Sequence, residues 1–191
     1  MHVVYFDLET GGLLMEHPII QLAAVAMDEN GMIESFEVKV QFDPAMADAQ
    51  ALAVNHYDPD IWQREAITPA VARAKFTTFL KRFCDIEHIS KRTGRPYRVA
   101  QLAGHNVASF DMPRLQKWYQ DANEFLVADP RPLDTLQFAM WYFHVRGKRL
   151  PSYRLTEICK HFGIGVENAH DALADVMLCA EFIQRLTSKG R

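Results

Sequence analysis

Apolar positions in the first forty residues come in runs separated by short polar breaks, which is typical of β-strands joined by turns. Strands are predicted at residues 2–8, 18–27 and 32–42, and Asn30-Gly31 between the last two favours a tight hairpin turn. The chain is therefore expected to begin with an antiparallel meander of three strands.

From Pro69 onward the pattern changes to the spacing of amphipathic helices. This spacing predicts a helix that follows Pro69 and extends to residue 89, and an apolar run at residues 97–106 predicts a fourth strand. Residues 44–68 are irregular and have room for one short helix. The other expected elements are a short extended piece near residue 132 and helices at about 109–122, 134–144, 154–162 and 171–187. Together the elements predict an α/β fold in which helices flank a mixed central sheet.

The length and composition are typical of one globular domain. Because 49% of the 191 residues are hydrophobic, residues 1–191 are expected to form a single domain with a sizeable core. The sequence has no uninterrupted apolar stretch of about eighteen residues and begins without a basic leader, which predicts a cytoplasmic protein with no membrane partner.

Cysteine usage and net charge exclude two further classes of protein. Cys84, Cys159 and Cys179 are odd in number and each lies in an apolar helical pattern, so we interpret them as reduced core thiols and not as disulfides or zinc ligands. The formal net charge of −3 argues against a protein that coats nucleic acid by bulk charge, although it permits local basic patches.

Two carboxylates stand at the end of the first predicted strand, in the segment VVYFDLETGG. Strand alternation places Asp7 and Glu9 on one face and Phe6 and Leu8 on the other. Since the strand is apolar on both faces it should be central, and two acids at its carboxyl end are costly unless a cation or hydrogen-bond donors meet them. The alternative is a strand that simply runs into solvent at Asp7.

A third acid, Asp111, begins a helical stripe that points inward, formed by Leu115, Trp118, Tyr119 and Ala122. The alternative for Asp111 is a first-turn acid that complements the helix dipole and pairs with Arg114.

A fourth acid, Asp175, lies in the middle of an apolar helical arc, formed by Leu178, Cys179, Phe182 and Leu186. His170 precedes Asp175 by five residues, just before the predicted N-cap Asp171, so its side chain could turn towards the same site. The alternative for His170 is a histidine at the surface.

Three separate elements thus present acids at the inward edge of a packed stripe, and all of them could meet beside one strand end. Oxygen ligands without cysteine favour Mg²⁺ or Mn²⁺, and two divalent ions would neutralise four carboxylates. The sequence therefore predicts a metal site.

The same residues resemble the DEDDh branch of the DnaQ-like 3′→5′ exonucleases, in three motifs that follow the family's order and span nearly the whole chain. FDLETGG resembles the first motif, with Asp7 and Glu9 as metal ligands, and GHNVASFD resembles the second, with Asp111 as a ligand. HDALAD resembles the third, with His170 as general base and Asp175 as a ligand. Residues 43–68 and 85–98 match no part of the family pattern that we can assign. The resemblance implies a ribonuclease-H-like fold.

The resemblance also implies a function. It implies two divalent cations, Mg²⁺ or Mn²⁺, and release of nucleoside 5′-monophosphates from the 3′ end of a single strand, with DNA favoured over RNA. His170 must be neutral to accept a proton, which predicts activity that falls below about pH 6.5. Candidate partners are single-stranded DNA or RNA 3′ ends, a polymerase and a second copy of the chain. The alternatives are an RNA-trimming enzyme, a non-catalytic binding module and a nucleotide hydrolase.

Candidate substrate contacts follow from positions in the motifs. Thr10, Gly12 and Leu13 are expected to wall the pocket of the last nucleotide, with core packing as the alternative for Leu13. Asn106 is expected to touch the strand or to hold its loop, and His105 is interpreted as structural.

Two basic segments, KRTGRPYR at residues 91–98 and VRGKR at residues 145–149, could guide a phosphate backbone. Tyr97 and Tyr153 are available for base stacking in that case. The alternative is that both segments are solvated loops.

Overall fold

The structure is a computed structural model and describes residues 1–166 and 172–188. Its strands, in chain order, are β1 Val3–Thr10, β2 Ile19–Asp28, β3 Gly31–Lys39, β4 Ile86–Ile89, β5 Pro96–Val99, β6 Leu102–Gly104 and β7 Leu133–Asp134. Its α-helices are α1 Ala49–Val54, α2 Pro59–Glu65, α3 Pro69–Leu80, α4 Asp111–Asp121, α5 Thr135–His144, α6 Leu155–His161 and α7 Ala172–Ser188. Single 3₁₀ turns lie at Pro44–Met46 and Lys81–Phe83.

The central sheet has five strands in the order β3-β2-β1-β6-β7. The first three strands are antiparallel, and β1 is parallel to β6, as β6 is to β7. β1 is thus the middle strand, as its two apolar faces predict. A shift of register between Glu9 and Thr10 marks a bulge where β1 leaves its ladder with β2.

Helices cover both faces of this sheet. On the face of Phe6 and Leu8, apolar side chains of α3 and α4 complete one core, which includes Phe76, Phe79, Leu115 and Tyr119. On the face of Tyr5, residues of α5, α6 and α7 complete a second core, which includes Ala139, Ile158, Val176 and Phe182. A mixed sheet between two helical layers confirms the predicted α/β fold class.

The predicted helix after Pro69 is too long. α3 ends at Leu80, and residues 86–89 form a strand that pairs with residues 96–99 in a separate two-stranded sheet. The helical spacing of the apolar residues continues as far as Phe83, which lies in the 3₁₀ turn and is buried. Asp85 next accepts a hydrogen bond from the His2 N–H at 2.6 Å, so a tertiary contact replaces the next helical turn.

The predicted fourth strand is divided. Residues 96–99 belong to the small sheet and residues 102–104 to the central one. Between them, Ala100 bridges to Ala128, and the Gln101 side-chain amide donates to the carbonyls of Leu102 and Arg131. Residues 44–68 hold two short α-helices, where the sequence predicted one.

Two observations bear on the remaining expectations. All three cysteines are free thiols, of which Cys159 and Cys179 are buried and Cys84 is half-buried. Among the helices within residues 1–166 and 172–188, none has both the length and the hydropathy that a membrane crossing requires.

Candidate active site

Three elements deliver four carboxylates to one cavity of about 280 Å³. Asp7 and Glu9 come from the end of β1, Asp111 is the first residue of α4, and Asp175 lies in the first turn of α7. The structure therefore brings together the four acids that the sequence singled out. His170 lies outside the described residues.

α4 is fixed to the end of β1 by the acid itself. Asp111 is buried, and its Oδ1 accepts a hydrogen bond from the Leu8 N–H at 3.2 Å. The approach depends on Gly104 at the end of β6, because a Cβ there would lie 2.3 Å from the Val107 side chain and 2.7 Å from the Phe6 carbonyl oxygen. The position of Asp111 is thus set by close packing between β6 and the strand that carries Asp7.

The acids disfavour one another's charge. Desolvation raises the pKa of Asp7 well above its ordinary value, and repulsion from Asp111, Glu9 and Asp175 raises it further. Burial likewise raises the pKa of Asp111 to about 7, although the Leu8 N–H and the Arg114 guanidinium favour its ionised form. Burying several ionised carboxylates together destabilises the folded state unless a positive charge balances them. Acids with pKa values perturbed in this way are typical of functional sites.

The chemistry of the donors fits a divalent cation, because all four are hard carboxylate oxygens. Within the described parts of the chain, no three His, Cys, Asp or Glu side chains are already arranged to hold a metal ion. The fit therefore rests on the identity, charge and shared cavity of Asp7, Glu9, Asp111 and Asp175.

A second cavity of about 690 Å³ adjoins the first and shares five lining residues with it: Leu8, Glu9, Val54, Asn55 and Phe110. Thr10, Gly12 and Leu13, the predicted substrate contacts, line this second cavity. Leu13 is 80% exposed, so it is not a core residue. The Thr10 hydroxyl donates to the Gly12 carbonyl at 2.9 Å and stabilises the turn that forms this wall.

Asn106 lines the acidic cavity, where its backbone has a φ of 60°. Its N–H and that of Ala108 donate to the Asp134 carboxylate at 3.1 and 3.0 Å, which fixes the loop before α4 to the start of α5.

His105 also lines the acidic cavity, but both of its ring nitrogens are engaged. Nε2 lies 3.0 Å from the Tyr153 carbonyl oxygen and therefore donates, and Nδ1 lies 3.0 Å from the Thr135 hydroxyl. Burial lowers the pKa of His105, which favours the neutral ring. The interpretation of His105 as structural agrees with these contacts.

The sequence analysis did not predict that α1 and the residues flanking it form one wall of the site. The Asn55 side-chain amide donates to the Thr10 carbonyl at 2.8 Å, and the Asp48 N–H donates to the Gly11 carbonyl at 2.7 Å. Asn55 lines both cavities as a result. α1 has only six residues and no buried side chain, so no hydrophobic period marks it.

Phe110 was missed as well, although it directly precedes Asp111 and lines both cavities. The Arg114 guanidinium lies 3.6 Å from the centre of the Phe110 ring and donates to the carbonyls of Phe110 and Leu13. The sequence did contain a signal for this role: Phe110 is an aromatic residue next to Asp111 that does not belong to the apolar stripe of the helix.

Comparisons with known proteins identify relatives of the chain. Residues 95–183 match the exonuclease family model RNase_T. The chain is 30% identical to the DNA polymerase III subunit epsilon of Treponema pallidum over 188 residues, covering 94% of this chain and 74% of that protein. It is 27% identical to the PolC-type DNA polymerase III of Pediococcus pentosaceus over 173 residues, covering 90% of this chain but only 10% of that protein.

Solved structures show the same fold at lower sequence identity. A structure of exonuclease I superposes with a TM-score of 0.77 at 19% identity, covering 98% of this chain and 41% of that one. Exonuclease I of E. coli in complex with a dA16 oligonucleotide superposes with a TM-score of 0.74, also at 19% identity. The chain thus spans about two fifths of the length of these structural neighbours.

Proposed function

Because the chain belongs to the DnaQ-like exonuclease family, we propose that it removes nucleotides one at a time from the 3′ end of single-stranded DNA by metal-dependent hydrolysis. The observation that carries the proposal is the meeting of four carboxylates beside a cavity large enough for a nucleotide. The DNA polymerases among its relatives favour DNA over RNA as the substrate. They also suggest a polymerase as a partner.

In the proposed site, Asp7, Glu9, Asp111 and Asp175 hold two divalent cations, Mg²⁺ or Mn²⁺. Bound ions of this kind supply a water activated as nucleophile and stabilisation of the leaving oxygen. The raised pKa values of Asp7 and Asp111 support this assignment, because a cation favours the ionised form that the acids by themselves resist.

The protein's own residues bind and orient the strand. The terminal nucleoside enters the cavity between the turn at Thr10–Leu13 and α1, where Phe110 offers a ring face to the base. The 3′-terminal phosphodiester then lies against the acids, and His170 accepts the proton of the attacking water. The product is a nucleoside 5′-monophosphate, and the shortened strand presents a new 3′ end.

A ladder assay tests the proposal. Single-stranded DNA, duplex DNA and RNA, each labelled at the 5′ end, are incubated with the protein in Mg²⁺, in Mn²⁺ or in EDTA. We expect stepwise shortening from the 3′ end, fastest on single-stranded DNA and absent in EDTA. Asp7→Asn, which keeps the shape of the side chain, and His170→Ala should each lose at least about a hundredfold in rate.

Asp121→Asn is the matched control, because Asp121 is an exposed acid at the far end of α4 that pairs with Lys117. This variant should cut as the wild type does. Shortening of RNA alone would make the protein an exoribonuclease. Failure to shorten any polymer with either metal would reject the exonuclease proposal in favour of a binding module.

A further inference from the structure

α5 exposes large apolar side chains over most of its outer surface. Phe138, Met140 and Trp141, with Val145 directly after the helix, are 47–67% exposed, whereas Ala139 and Phe143 on the inner side are buried. Trp141 is the most conspicuous, because a tryptophan that is 67% exposed gains little from folding. A contiguous apolar patch of this kind usually marks a binding surface.

Beside this patch runs a groove of about 630 Å³ between α5 and the loop that follows it. Its lining includes Trp141, His144, Lys148, Arg149 and Tyr153. The Trp141 and His144 rings meet edge to face, with centroids 5.9 Å apart, so one contact already orients the indole. The groove therefore combines aromatic faces with cationic side chains.

The charge around this groove is opposite in sign to that of the whole chain. Residues 135–156 contain four Lys and Arg residues and no Asp or Glu, in a protein whose net charge is −3. Neither Lys148 nor Arg149 forms an ion pair with any residue in the described ranges. An anionic occupant would supply the missing partners.

The groove lies next to the wall of the acidic cavity, although the two share no lining residue. His105 lines that cavity and donates to the Tyr153 carbonyl, and Tyr153 is also one of the residues that line the groove. α5 starts at the same wall, because Asp134 caps its first turn and binds the loop of Asn106. Trp141 follows Asp134 by seven residues, which is about 10 Å along the helix. This distance is the length of about three stacked nucleotides.

We propose that this groove is a binding site for the part of a single-stranded nucleic acid that lies upstream of its 3′ end. A base stacks on Trp141, while Lys148 and Arg149 hold neighbouring phosphates. The inference rests on the proposed function, since it extends the strand whose end occupies the acidic cavity. An acidic protein would match the charge, but the position of the groove beside the acidic cavity favours the strand itself.

The binding test uses the chain with Asp7→Asn in EDTA, so that no strand is cut. An oligothymidylate of about twelve nucleotides with a 5′ fluorophore is titrated, and its anisotropy gives Kd. Trp141→Ala should weaken binding about five- to 150-fold, which corresponds to about 1–3 kcal/mol for one stacked base. Trp141→Phe should retain most of the affinity, because a ring remains.

Salt dependence separates the two kinds of contact. Lys148→Ala with Arg149→Ala should lower the slope of log Kd against log salt concentration by about 1.4, at about 0.7 for each phosphate that the variant no longer neutralises. Trp141→Ala should leave that slope unchanged. The controls are Phe125→Ala, a similarly exposed aromatic residue elsewhere, and Lys75→Ala with Lys81→Ala, two exposed lysines on the opposite side of the sheet. Both controls should bind as the parent protein does.

A small substrate distinguishes this inference from the proposed function. The p-nitrophenyl ester of thymidine 5′-monophosphate can occupy the acidic cavity but is too short to extend to Trp141. In the active protein, which keeps Asp7, Trp141→Ala should therefore leave kcat/KM for this substrate unchanged. On the longer strand the same variant should lose kcat/KM mainly through KM. Equal losses of kcat/KM on both substrates, or unchanged binding in both groove variants, would overturn the inference even if the enzyme is active.

The β4–β5 hairpin is the alternative path for the strand. A loss of oligothymidylate binding confined to Lys91→Ala with Arg92→Ala would place the strand there and overturn the inference.

Discussion

At the scale of single residues, the site places acids where their ionisation opposes folding. Asp111 is 3% exposed, and burial raises its pKa to about 7. Asp7 lies beside it, and desolvation and the neighbouring carboxylates raise its pKa well above the ordinary value. A sequence selected only for stability would not keep these side chains, which is the conflict between local and global preference expected of functional sites.

This conflict predicts how stability depends on pH in the absence of metal. A carboxyl whose pKa is higher in the folded state than in the unfolded state stabilises the fold below the unfolded value and loses that effect as the pH rises through the folded value. For Asp111 the window runs from the ordinary 3.8 to about 7. In EDTA the unfolding free energy of the wild type should therefore fall across this range.

Asp111→Asn removes the titration but keeps an oxygen that can accept the Leu8 N–H. We expect it to raise the unfolding midpoint in EDTA at about pH 8 by about 2–10 °C, equivalent to about 1–3 kcal/mol, and to change it little at about pH 4. Thermal melts at several pH values measure the difference, with Asp121→Asn as the exposed control. If the unfolding midpoints of Asp111→Asn and wild type changed in parallel with pH, the pKa of Asp111 would not be raised in the folded state.

At the scale of elements, Arg114 joins α4 to the wall of the larger cavity. Its guanidinium is buried, lies on the Phe110 ring and donates to the Leu13 carbonyl. Sequence reasoning weighed Arg114 only as a partner for Asp111. Its contact with the turn after β1 depends on how the loop folds back, and no helical spacing encodes that.

Arg114→Met keeps much of the packing volume but removes the donors to the loop. We expect KM for single-stranded DNA to rise about five- to tenfold while kcat changes less, because the wall that positions the nucleotide loosens. Steady-state kinetics measure the two constants. Lys117→Met, an exposed change on the same helix, should have no effect, and a fall in kcat alone would assign Arg114 to the chemistry.

The elements that the sequence predicted correctly have a hydrophobic period long enough to define a face. The strands at residues 3–10 and 19–28 and the helices that carry Asp111 and Asp175 are of this kind. The helix after Pro69 was predicted too long because the apolar spacing continues to Phe83, while the contact of Asp85 with His2 is invisible in a local pattern. The four acids could be found because each lies within or at the end of an apolar strand or helical stripe, whereas Asn55 and Phe110 belong to none.

At the scale of the whole molecule, the two cores are the two faces of one sheet. β1 contributes Phe6 to one core and Tyr5 to the other, and β2 contributes to both in the same alternating way. Loss of either helical layer would expose the other side of the same strands to water. We therefore expect residues 1–191 to behave as a single exonuclease domain that unfolds in one step.

Phe182→Ala tests this expectation, because it weakens the core on one face of the sheet while unfolding is observed on the other face. Phe182 is fully buried in the core of Tyr5, and its truncation should cost about 3–5 kcal/mol. Trp118 packs against the opposite core, so its fluorescence, with Trp62 and Trp141 replaced by Phe, reports on the far side of the sheet. Because the strands are shared, the midpoint seen by Trp118 should fall as far as the midpoint seen by far-ultraviolet circular dichroism. If the Trp118 transition stayed at its original temperature while the helical signal melted earlier, the two faces would be separate folding units, and the acidic site would lie between two units that melt independently.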